Sequence, residues 1–263
     1  MKEENYRLGL VSVSFRKHTP KEILNAMQAC GLSVIEWGSD VHAPCTDHER
    51  IGQIVAMQES LGISCSSYGT YFKLGQTPIG ELPRYIDAAH RLKTDVLRLW
   101  CGTRSGDAMT AEERDSLLAQ ACQAAELAER EGVTLCMECH KQTFTERPED
   151  ALELMRVVNS KHFRMYWQPF QWLEAGENLL IAKKISLHVE HLHVFQWKGT
   201  QRFSLHEGIG EWQEYLGALP APRTLLLEFM PDDSLATLAQ EADALRTIVS
   251  GLGVSAQKGA VDG

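Results

Sequence analysis

Short apolar runs alternate with longer amphipathic ones about eight times along the chain. The short runs read as strands: Leu8 to Val13, Val34 to Trp37, Ile63 to Tyr68, Asp95 to Trp100, Val133 to Glu138, Phe163 to Gln168, Val189 to Val194 and Thr224 to Phe229. Their starts lie roughly 25 to 40 residues apart, which leaves room for a strand, a helix and two loops. Helical signals fill the gaps. Thr19-Pro20-Lys21-Glu22 combines an N-cap, a first-turn proline and an acid three residues after the cap. Thr110-Ala111-Glu112-Glu113 opens the clearest helix, which runs to about Glu131 and stops at Gly132. Gly31 and Gly62 end earlier helices in the same way, Arg147-Pro148-Glu149-Asp150 starts another, and Ser234 caps the last.

Eight βα units without the long alternation of an antiparallel sandwich predict an α/β fold, a single-domain (β/α)8 TIM barrel over residues 1–250. A doubly wound open sheet is the alternative, but it usually carries a glycine-rich phosphate loop after the first strand. Here that loop reads Ser12-Val13-Ser14-Phe15-Arg16-Lys17. Residues 251–263, rich in small side chains, read as a flexible tail.

Composition narrows the function. The 263 residues are 44% hydrophobic and 23% charged, ample for one barrel core, and the net charge of −9 speaks against a protein that grips nucleic acid by its phosphates. The seven cysteines are scattered without disulfide-framework spacing, and no window approaches the roughly 18 apolar residues of a membrane helix. The start, Met1 to Tyr6, has no apolar stretch of the signal-peptide kind. A cytoplasmic, reducing location is the expectation, with no membrane or nucleic-acid partner.

Candidate chemistry sits at strand ends. Leu135-Cys136-Met137-Glu138-Cys139-His140 and Leu225-Leu226-Leu227-Glu228-Phe229-Met230 are apolar runs that each reach one glutamate and then break. A glutamate at the tip of a buried strand is costly unless a cation meets it. Val189-Glu190-His191-Leu192-His193-Val194 brings two histidines to one strand face, with His193 nearer the end and the better metal ligand. A pair of hydrogen-bonded core histidines, and a Glu228 paired with Arg98 or Arg164, are the plainer readings. Parity also separates Cys136-x-x-Cys139, whose thiols face opposite sides of the strand, from a redox pair. Past the strand ends, Tyr68, Tyr71, Trp100, Trp167, Phe170 and Trp197 offer aromatic faces. His42, His140 and Arg202 offer polar contacts, with Arg202 set in the long stretch after the seventh strand.

In order and spacing, Cys136-Met137-Glu138-Cys139-His140, Tyr166-Trp167-Gln168-Pro169, His191-Leu192-His193-Val194 and Leu227-Glu228-Phe229 resemble the xylose-isomerase-like barrels. These are the sugar isomerases, ketose 3-epimerases, inosose dehydratases and abasic-site endonucleases. Val34-Ile35-Glu36-Trp37 is similar to the family's second strand, and the resemblance covers Leu8 to about Ser250. It implies one divalent metal held by Glu138, Gln168, His193 and Glu228, with Glu138 and Glu228 also as acid/base groups. His140, Tyr68, Trp100, Arg202 and His42 are the expected substrate contacts. Gln168 stands where the family usually has aspartate, and Gln171 where many members have histidine. The ligand set then carries two negative charges instead of three. Oxygen-rich ligation with one imidazole suits Mn2+ or Mg2+, with Co2+ or Zn2+ as alternatives. The resemblance implies a metal-dependent isomerase or epimerase that removes a proton next to a carbonyl of a ketose or polyol-derived substrate. Competing readings are a metal-dependent lyase, dehydratase or decarboxylase on a keto-sugar or inosose, and a non-catalytic sugar-binding barrel. The abasic-site endonucleases, which assemble three zinc ions, match poorly. Family habit implies a homodimer or homotetramer.

Overall fold

All eight predicted strands form a closed parallel barrel in the computed structural model, which describes residues 6–219 and 223–258. In chain order the elements are β1 (Tyr6–Val11), α1 (Pro20–Ala29), β2 (Val34–Gly38), α2 (His48–Ser60), β3 (Ser64–Leu74), α3 (Leu82–Arg91), β4 (Val96–Cys101) and α4 (Ala111–Glu131). There follow β5 (Thr134–Glu138), α5 (Pro148–Val158), β6 (Phe163–Trp167), α6 (Ala175–Ile185) and β7 (Val189–Val194). A hairpin, β8 (Gln196–Lys198) with β9 (Gln201–Phe203), precedes α7 (Ile209–Ala218), β10 (Arg223–Leu227) and α8 (Leu238–Lys258). β1 pairs in parallel with both β2 and β10 and so closes the ring.

The punctuation read in the sequence does what its chemistry requires. Thr19 and Thr110 each close a capping box, with Glu22 and Glu113, and so satisfy amides left free in the first turn. Gly132 ends α4 at φ +70°, a conformation that glycine adopts without strain.

Two cores result. The larger lies between barrel and helices and takes in the outward-facing strand residues Ile35, Trp37, Leu97, Leu135, Met137, Leu192 and Leu225. The smaller fills the barrel interior with Val11, Val34, Val96, Cys136, Tyr166 and Leu226. Cys136 and Cys139 fall in different cores, as parity requires, and all seven cysteines are free thiols.

Three features depart from the sequence reading. β3 continues past Tyr68 to Leu74, which carries Tyr71 to the barrel mouth. The stretch after β7 is not an open loop but the β8–β9 hairpin. α8 runs to Lys258, so the boundary drawn at 251 falls inside a helix, and residues 259–263 lie outside those described.

Candidate active site

Side chains two residues beyond the apolar interior layer point inward at the C-terminal end of the strands. That parity stacks Glu36 above Val34, Arg98 above Val96, Glu138 above Cys136, Gln168 above Tyr166, His193 above His191 and Glu228 above Leu226. All six upper side chains are buried. Six strands thus deliver one polar layer to the end of a barrel where enzymes of this shape carry their sites.

The layer is organised around His193. Its Nδ1 lies 3.3 Å from Glu228 Oε2, 3.5 Å from Glu138 Oε1 and 3.3 Å from Gln168 Oε1. Gln168 turns its carbonyl inward because its amide nitrogen donates to the Cys139 carbonyl at 3.1 Å. On the other side of the ring, His193 Nε2 faces Glu36 Oε2 at 3.6 Å. Arg98 ties the layer together, donating from Nε to Glu36 at 2.8 Å and from Nη1 to Glu138 Oε2 at 2.5 Å. Ser67 donates to Glu36 Oε2 at 3.1 Å, and the Tyr166 hydroxyl donates to Ser67 at 2.6 Å.

These residues fit a divalent cation. Among the described residues, Glu138, His193 and Glu228 offer ligand atoms that all lie within 4.8 Å of one another, and the neutral oxygen of Gln168 adds a fourth donor. Hard oxygens with one imidazole suit Mn2+, Mg2+, Co2+ or Zn2+. Charge points the same way. Glu36, Glu138 and Glu228 bring three negative charges and Arg98 one positive, which leaves a buried layer two charges short of balance. The same imbalance favours protons on His193 and Glu228. Burial pushes His193 down, but the Glu228 carboxylate, helped by Glu138 and Glu36, outweighs it and lifts the imidazole to about 10. Burial raises Glu228, with His193 opposing and Glu138 adding to the rise. Burial also pushes Glu138 and Glu36 up, yet Arg98 and then His193 hold both below the usual carboxylate range. The two carboxylates that face His193 Nδ1 are therefore unlike: Glu138 is held as an anion and Glu228 retains a proton more readily.

A cavity of about 280 Å³ opens above this layer, walled by Arg98, Glu138, Gln168 and Glu228 below and by Arg16, Tyr71, Trp100, His140, Gln171 and Trp197 around the rim. Trp100 stacks on His140 with ring centroids 4.4 Å apart. His140 Nδ1 lies 2.7 Å from the Lys141 carbonyl. A carbonyl only accepts, so Nδ1 carries the proton and Nε2 keeps its lone pair in the neutral ring. Arg16 bridges Asp40 and the Tyr71 hydroxyl, each at 2.6 Å, which keeps its guanidinium at the rim.

Six of the nine expected site residues meet here: Glu138, Gln168, His193 and Glu228 in the layer, His140 and Trp100 above it. Three do not. Tyr68 faces away from the barrel axis, and its hydroxyl donates to the Ala43 carbonyl at 2.6 Å in the outer core. His42 is buried against Trp37, with Nε2 3.1 Å from the His18 carbonyl. Arg202 lays its guanidinium over Trp197 and Phe229 and binds the Met230 carbonyl and Asp233, bracing the hairpin instead of lining the cavity. Of the rim aromatics, Trp167 and Phe170 are likewise packed in the outer core. Arg98 pairs with Glu138 and Glu36, not with Glu228. Glu36 and Arg98 belong to the layer although the sequence reading places neither among the site residues. Each is a charge inside an apolar strand, two residues from a valine of the barrel interior, and that pattern is their signal.

Comparison with known proteins agrees with this architecture. A family model described as "Xylose isomerase-like TIM barrel" matches residues 24–248. Similar solved structures include a probable 3-DHS dehydratase of Bacillus anthracis, at 16% identity and a TM-score of 0.75 over 91% of this chain and 98% of that one. An L-ribulose 3-epimerase is 15% identical with a TM-score of 0.74 over 97% of each chain. A xylose isomerase-like TIM barrel protein of Mycobacterium smegmatis, in complex with magnesium, is 12% identical with a TM-score of 0.69 over 95% of this chain and 98% of that one. No curated protein sequence matches the chain. At these identities the structural likeness speaks for the fold.

Proposed function

The chain belongs to the xylose isomerase-like TIM barrel family, and we propose that it is a divalent-metal-dependent enzyme that moves a proton next to the carbonyl of a ketose or polyol-derived substrate. The observation that carries this reading is the convergence of Glu138 Oε1, Gln168 Oε1 and Glu228 Oε2 on His193 Nδ1 at the floor of the mouth cavity. A bound Mn2+ or Mg2+ would draw negative charge onto the substrate's carbonyl oxygen and make the neighbouring C–H more acidic.

The protein side of the reaction follows from the asymmetry of the two glutamates. Arg98 occupies Glu138 Oε2 and keeps that residue anionic, a ligand and a poor base. Among the described residues no arginine or lysine pairs with Glu228, whose raised affinity for a proton suits it to take one from carbon and return it. His140 offers a lone pair on Nε2 from the cavity wall and is the second proton-transfer group. Trp100 and Trp197 supply apolar faces for the C–H side of a polyol, and Arg16 with Tyr71 supplies donors to its oxygens.

Returning the proton to the substrate gives isomerisation or epimerisation. Giving it to a departing hydroxyl gives dehydration, and one observation favours that second reading. Epimerisation by two opposed carboxylates requires both to be free to exchange a proton, and Arg98 ties up Glu138. The test is to incubate the metal-loaded protein with ketoses, sugar acids and inososes in deuterated water. Deuterium gained with no other change in composition indicates isomerase chemistry, and a net loss of water indicates a dehydratase. Glu228→Gln should lower turnover by about 100- to 10,000-fold. An undiminished rate in that variant rules out the assigned base.

A further inference from the structure

Glu36 stands outside the ligand set, yet its carboxylate touches both residues that control it. One oxygen accepts from Arg98 Nε at 2.8 Å. The other accepts from Ser67 at 3.1 Å and faces His193 Nε2 at 3.6 Å. Both Glu36 and His193 are 0% exposed, and among the described residues the buried His193 Nε2 makes no hydrogen bond, Glu36 Oε2 at 3.6 Å being the carboxylate it faces. A buried imidazole with one nitrogen turned to three oxygens needs an acceptor for the N–H on its other side. The same strand-end layer provides it. Gly69 leaves the room: a Cβ there would lie 2.5 Å from Glu36 Oε1 and 2.8 Å from Arg98 Nη2.

We propose that Glu36 is a positioning residue that accepts the Nε2–H of His193, fixes the ring in the tautomer that presents Nδ1, and thereby sets the strength of cation binding by Glu138, Gln168, His193 and Glu228. The proposal rests on the metal reading above and adds to it a residue from β2, across the barrel from the ligands. Carboxylates behind metal-binding histidines hold ring orientation and raise ligand basicity, and their loss typically weakens metal binding by about 10- to 100-fold. Ser67 and Tyr166 complete the support, since each donates along the chain that ends on Glu36.

Glu36 also holds Arg98, so the experiment separates the two routes. Zn2+ affinity is measured by calorimetry on chelator-stripped wild type, Glu36→Gln, Arg98→Met and the double variant, which removes the buried pair together and keeps the charge balance. If Glu36 acts through His193, Glu36→Gln weakens Zn2+ binding about 10- to 100-fold, and the double variant is weaker than Arg98→Met alone. In the Zn2+-loaded wild type, proton NMR of histidine-labelled protein should show a slowly exchanging Nε2–H, assigned by its absence in His193→Gln. That signal should be lost or exchange rapidly in Glu36→Gln. Unchanged affinity in Glu36→Gln, or a double variant no weaker than Arg98→Met, overturns the proposal and leaves the metal reading standing. Absence of any metal uptake by the wild type overturns both.

Discussion

Among the described residues, Arg98 is the one arginine or lysine in a buried layer that holds three carboxylates and the His193 imidazole. Its five donors in a rigid plane let it serve Glu36 and Glu138 together, which a lysine could not do with the same geometry. Removing it leaves two buried carboxylates without their partner, a loss of about 3–5 kcal/mol by analogy with other broken buried pairs. Arg98→Met should therefore lower the denaturation midpoint sharply, and a midpoint within the error of the wild type would show the layer to be wetter than its burial implies. His193 makes a second prediction, on pH. Its folded value of about 10 lies above the ordinary 6.5, so in the metal-free protein the stability it contributes is complete below about 6.5 and disappears as pH rises toward 10. Glu228, also raised, acts in the same direction. A divalent cation bound by the proposed ligands would replace those protons. The melting temperature of chelator-stripped protein should fall between pH 6.5 and 10 more steeply than that of the metal-loaded protein, as followed by circular dichroism.

Among elements, the strands were legible and what they carry across the barrel was not. Apolar runs and glycine stops placed all eight strands, and each glutamate or histidine at a strand end could be read from its own segment. Glu36 and Arg98 are 62 residues apart and meet only because the ring closes, so neither segment alone announces the pair. Tyr68 failed for a related reason. Lying near a strand end says how high a side chain sits, while parity and the register shift between β2 and β3 decide which way it faces. Arg202 was misplaced because nothing local foretold that Gln196 to Phe203 would fold into a hairpin and stack the guanidinium on Trp197. β3 itself makes a testable contribution through Gly69, beside the Glu36–Arg98 pair. Gly69→Ala forces a methyl group into both partners of a packed ion pair. It should cost about 1–3 kcal/mol, as overpacked cores do, and weaken metal binding as well. A variant with unchanged stability and unchanged Zn2+ affinity would mean that the pair can shift without consequence.

For the whole molecule, the proposed ligands come from the ends of β5, β6, β7 and β10, and Glu36 and Arg98 extend the connection to β2 and β4. A cation in that position would join strands far apart in sequence and be bound only by the closed barrel, because the unfolded chain has no reason to bring Glu138, Gln168, His193 and Glu228 together. Binding to the folded state alone adds stability that grows with ligand concentration, about 2.7 kcal/mol at a hundred times the dissociation constant. For a domain of this size each kcal/mol moves the melting temperature by about 2–4 °C, so saturating Mn2+ or Zn2+ should raise it by about 5–11 °C over chelator-stripped protein. The protein concentration is held constant, so that any self-association does not contribute to the shift. His193→Gln should reduce the response, since it removes the nitrogen on which the three oxygens converge. Scanning calorimetry with and without metal decides the matter: a melting temperature indifferent to Mg2+, Mn2+, Co2+ and Zn2+ would turn the buried layer into a structural ion-pair network and the cavity above it into a binding pocket without chemistry.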